Sequence, residues 1–104
     1  MEIKFEKRYL QELYEFGRTS DKKYIYHPDV VKRYQACIKT LEKASKVEDL
    51  LPITSFHYEE LADKKDKSTI RINDQYRIEF KPIQIFFETV AKICTILKSS
   101  KYYK

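Results

Sequence analysis

A chain of 104 residues suffices for one domain with a core of modest size, and its 42% hydrophobic content with a single glycine points to an ordered globule. No apolar run approaches the length of a membrane span, and the opening MEIKFEKRY lacks the apolar stretch of a secretory signal, so a cytoplasmic protein is expected. The formal net charge is +5, and with two cysteines and two histidines in the whole chain a zinc site is not expected.

In chain order, EIKFE reads as a short first strand. From Glu6 to Phe16 the apolar residues Tyr9, Leu10, Leu13, Tyr14 and Phe16 follow helical spacing, and Gly17 supplies the stop; the aromatics of this stripe are expected in the core. A second helix starts at Pro28, with Asp29 in its first turn. Its stripe of Val30, Val31, Tyr34, Cys37, Ile38 and Leu41 ends near Ala44. Ser45 is expected to cap a further short turn that Pro52 ends. Cys37 and Cys94 fall in different elements without metal-type spacing and read as small core residues of a reduced protein.

The remainder reads as β-structure. ITSFHYEEL is expected as a strand, ADKKDK as a charged loop, STIRI and YRIEF as a hairpin, and FFETVAKICTIL as a long strand covered on both faces. Glu59 and Glu60 are adjacent and so point to opposite faces, which excludes a paired acid and base there. The expected fold is a single α+β domain over residues 1–104. Two N-terminal helices pack on one face of a mostly antiparallel, twisted sheet, in the order β-α-α-β-β-β-β.

The hairpin carries the most specific information. A two-residue loop would pair Ile72 with Gln75 and Ile70 with Arg77, mixing apolar and polar side chains on each face. A three-residue loop of Asn73, Asp74 and Gln75 pairs Ile72 with Tyr76 and Ile70 with Ile78, and it sets Arg71 opposite Arg77. Facing like charges cost up to about 1 kcal/mol. A nearby anion is therefore expected, either the carboxylate of Glu79, diagonal to Arg71, or a phosphate. Charge placement favours a polyanion. Residues 1–64 are neutral, with 12 Lys/Arg and 12 Asp/Glu, whereas residues 65–104 carry 9 against 4.

STIRINDQYRIEF, followed by KICTIL and a basic end with a penultimate tyrosine, resembles the HigB branch of the RelE/ParE toxin family along nearly the whole chain. The resemblance implies a RelE-like fold and a toxin that cleaves messenger RNA in the decoding site of the ribosome, restrained by a HigA-type helix-turn-helix antitoxin. Arg77 matches the family's active-face arginine, Tyr103 its near-terminal tyrosine, and His57 falls about where several members have a catalytic histidine. The chain differs in the glycine-free ADKKDK loop, in Ser68 and Thr69 where an aromatic residue is common, and in Tyr102 and Lys104 beside the closing tyrosine.

Cleavage without a metal needs a base for the 2′-hydroxyl, charge stabilisation for the phosphoryl transition state, and an acid for the leaving 5′-oxygen. Arg71 and Arg77 suit the charge stabilisation, because guanidinium donors match phosphate oxygens two at a time. Lys64, Lys65 and Lys67 are assigned to the RNA backbone on either side. His57 is open to the role of acid, base or structural residue. Tyr103, set among Lys98, Lys101 and Lys104, is open to proton transfer or to base stacking, with Tyr102 as a further RNA contact and Lys104 as a catalytic or merely solvated charge. No cofactor is expected. The alternative reading is a ParE-like inhibitor of DNA gyrase without nuclease activity.

Overall fold

Hydrophobic alternation dictates a sheet that must bury one face, and the amphipathic helices supply the cover. In a computed structural model describing residues 1–64 and 66–98, strand β1 (Glu2–Phe5) leads into helix α1 (Arg8–Phe16) and helix α2 (Pro28–Lys43). Four strands follow: β2 (Glu59–Glu60), β3 (Ser68–Arg71), β4 (Tyr76–Ile85) and β5 (Glu88–Lys98). They form a mixed five-stranded sheet in the spatial order β1-β5-β4-β3-β2, with β1 parallel to β5 and the other pairs antiparallel. The first strand thus lies beside the last. The fold class is α+β, and no helix among the described residues is long and apolar enough to cross a membrane.

One core joins the layers. Tyr9, Leu10 and Leu13 of α1 and Val30, Tyr34, Ile38 and Leu41 of α2 pack with Ile70, Ile78, Phe80, Ala91 and Ile93 of the sheet. The Tyr34 hydroxyl reaches across to donate to the Leu10 carbonyl at 2.7 Å, so this buried polar group is satisfied. Gly17 ends α1 in the left-handed region at φ 73°, and its N–H donates to the Leu13 carbonyl. His27 caps α2, its Nδ1 accepting from the Asp29 N–H at 3.1 Å. Cys37 and Cys94 are free and buried; burial pushes the Cys37 thiol up to about 11 and raises Cys94 as well.

Four local expectations need correction. Phe16 is exposed rather than part of the core, because it sits in the last turn of α1, past Leu13, the last buried residue of the helix. Ser45 does not cap the turn that follows; the Asp49 carboxylate accepts from the Ser45 and Lys46 N–H groups instead, which lowers the Asp49 pKa. Residues 53–61 do not form one strand. Phe56 turns into the core within a 3-10 turn, Thr54–Phe56, and His57 reverses the chain at φ 43°, leaving only Glu59–Glu60 to pair with β3. FFETVAKICTIL is likewise not one strand, since β4 runs through Pro82 to Ile85 and Phe86 and Phe87 form the turn into β5.

That turn is costly as built. Phe86 holds φ 55°, a region bulky side chains enter at a cost of about 1–2 kcal/mol, and the two rings are 92% and 100% exposed. Phe86→Asn is expected to raise stability by about 0.5–1 kcal/mol, since asparagine tolerates the left-handed conformation. The urea midpoint measures it; a fall would show that Phe86 makes a contact worth more than the strain.

Candidate functional site

The hairpin register is the one that buries the isoleucines. Ile70 faces Ile78, Arg71 faces Arg77, and the Ile72 N–H donates to the Tyr76 carbonyl at 3.0 Å. The side chain of Asn73 closes the loop by accepting from the N–H groups of Gln75 and Tyr76, both at 2.9 Å. Strand alternation then sends Thr69, Arg71, Arg77 and Glu79 to the face away from the core, joined in register by Thr95 and Leu97 of β5.

The two arginines are held differently. Arg71 pairs with Asp74 in the loop, so the counter-anion is Asp74 and not Glu79. Its Nε is buried with no hydrogen-bond partner among the described residues. Arg77 is only 9% exposed. Its Nε donates to Thr69 Oγ1 at 3.0 Å and its Nη2 to the His57 carbonyl at 2.6 Å. A guanidinium carries five N–H donors, so Arg77 is oriented by two and keeps three for another acceptor. His57 therefore enters the site through its backbone, and its left-handed conformation is what aims that carbonyl.

Glu79, one of the two anions expected beside the arginines, pairs with lysines instead. Its side chain is 3% exposed and lies between two lysines, with Lys64 Nζ at 3.1 Å and Lys67 Nζ at 3.4 Å. The Glu79 charge holds the Lys67 ammonium above its ordinary pKa. The carboxylate thus bolts the 61–67 turn over the polar face, and both lysines arrive beside the arginines with a charge partner already in place. A signal for this existed: Glu79 shares the phase of Arg77, and lysines at 64 and 67 belong to the loop that must cross β4.

The remaining assignments divide. Lys98 pairs in register with Tyr76, whereas Leu97 pairs with Arg77, so alternation turns Lys98 away from the arginine face. Lys65, Lys101, Tyr102, Tyr103 and Lys104 lie outside the described residues. A cleft of about 700 Å³ opens elsewhere, lined by Lys46, Tyr58, Leu61, Lys67, Pro82 and Phe87. Neither arginine borders it, so the arginine-bearing sheet face and not this cleft is the candidate site.

Comparison of the sequence with protein-family models and with curated proteins gives no match.

Replacing Glu79 by glutamine leaves Lys64 and Lys67 beside Arg77 without their anion, and each hydrogen bond to a charged group becomes weaker. The expected loss is about 1–2 kcal/mol, kept small by the solvent around the lysines. A urea midpoint unchanged from wild type would show that the two pairs do not hold the turn.

Proposed function

We propose that this chain is a ribosome-dependent endoribonuclease toxin with a RelE-like fold, acting on messenger RNA in the cytoplasm and restrained by a HigA-type helix-turn-helix antitoxin. The observation that carries the reading is the pair Arg71 and Arg77, in register on adjacent strands on the sheet face away from the core, with Lys64 and Lys67 on the same side.

The chemistry follows from charge. The 2′-oxygen attacks the adjacent phosphorus and the 5′-oxygen leaves, so negative charge grows on the non-bridging phosphate oxygens. The three remaining Arg77 donors supply preoriented N–H groups for those oxygens, and the Arg71 guanidinium joins them by exchanging its Asp74 partner for phosphate. Lys64 and Lys67 hold the flanking backbone without reading its sequence. Proton transfer is assigned to Tyr103 and Lys104. His57 contributes a carbonyl that positions Arg77, which makes its imidazole the weaker candidate for acid or base.

Primer extension on a message under translation tests this. Wild-type protein is expected to create new 5′ ends within codons, and Arg77→Ala to lower the cleavage rate by about 10²–10³, as for loss of a transition-state donor. Arg71→Gln, whose partner Asp74 is exposed, keeps the measurement interpretable if Arg77→Ala loosens the 53–61 segment. No new ends with wild type, together with blocked DNA supercoiling, would replace the nuclease by the gyrase-inhibitor reading.

A further inference from the structure

A second row of cations crosses the same sheet face. Lys81 of β4 faces Lys92 of β5, and Lys92 faces Lys4 of β1, so three lysines stand side by side on three adjacent strands. Lys4 and Glu2 are outward in phase, while Ile3 and Phe5 pack on the core, which places the row on the arginine side. Cross-strand like charges disfavour the fold. Partial compensation comes from Glu2, 3.6 Å from Lys4, and Glu6, 3.7 Å from Lys92, both well exposed to water. Lys81 has no ion-pair partner among the described residues.

Separation decides which ligand suits two such rows. Lys81 lies four residue steps along β4 from Arg77, about 13 Å at a strand's rise, and the lysine row spans two interstrand gaps, about 10 Å. A single small anion cannot bridge that distance, but a chain of phosphates can.

We infer that Lys4, Lys92 and Lys81 form a second contact for a single-stranded RNA backbone that enters at Arg71 and Arg77 and crosses the sheet diagonally towards β1. The track rests on the proposed RNA target but assigns residues outside the reacting centre. It binds phosphates, so its contribution is salt-dependent and independent of base sequence.

Fluorescence anisotropy with a labelled 12-nucleotide oligouridine, titrated over a range of salt, reads the track directly. The triple variant Lys4→Gln, Lys81→Gln, Lys92→Gln is compared with Lys32→Gln, Lys39→Gln, Lys43→Gln, which removes the same net charge from the exposed side of α2. Loss of three phosphate contacts is expected to make the slope of log K against log salt shallower by about 2 for the sheet variant, at about 0.7 per contact, with a much smaller change for the helix variant. Unaltered far-ultraviolet circular dichroism verifies the fold of both. Equal slopes for the two variants overturn the track, as does wild-type binding confined to duplex DNA. Cleavage of translated message by a wild type whose sheet variant binds RNA normally would retain the nuclease and remove the track; the reverse pattern would retain the track and remove the nuclease.

Discussion

Three residues, Asn73, Asp74 and Gln75, separate Ile72 from Tyr76 at the turn between β3 and β4, and the register set there governs everything built on the sheet. With Ile70 opposite Ile78, the isoleucines fall into the core beside Phe80, and the arginines are forced together on the other face. A slip of one residue would exchange the two sets, burying guanidinium groups against Tyr34 and Ile38. Burial of the isoleucines thus fixes the arginine pair, whatever repulsion the pair carries.

That repulsion is handled piecemeal. Asp74 answers Arg71 from the loop, while Arg77 is met by two neutral acceptors, the Thr69 hydroxyl and the His57 carbonyl. Neutral acceptors hold a guanidinium without cancelling its charge, so the positive field at Arg77 persists. Glu79 offsets one of the two charges of Lys64 and Lys67, and by pairing with both it fastens these residues to the sheet. The outcome is a polar face that is internally braced and still cationic, continued towards β1 by Lys81, Lys92 and Lys4.

The edges show how backbone geometry shapes this face. Pro82 lies in β4 beyond the last residue paired to β3, where a missing N–H costs no ladder bond on that side. At the other edge β1 ends at Phe5, and the Tyr9 hydroxyl approaches Thr95 at 3.2 Å where β1 no longer covers β5. Cys94 is the extra residue of a bulge opposite Glu79 and Phe80, and it lets β5 carry Thr95 outward on one side of the bulge and Ile93 inward on the other.

Much of this was legible in the amino-acid order. The two helices, the α+β class and the hairpin register follow from apolar periodicity, because burial enforces period 3.6 or period 2 locally and needs no distant partner to be recognised. Positions depending on contacts between distant segments were not legible. Glu79 is within reach of Arg71 in sequence terms, yet the 61–67 turn folds over it and claims its charge. His57 reads as a strand residue until Phe56 is drawn into the core and the chain reverses. Lysines at 4, 81 and 92 look unrelated until a parallel pairing brings the first strand beside the last, since that pairing depends on the closure of the whole sheet rather than on any local pattern.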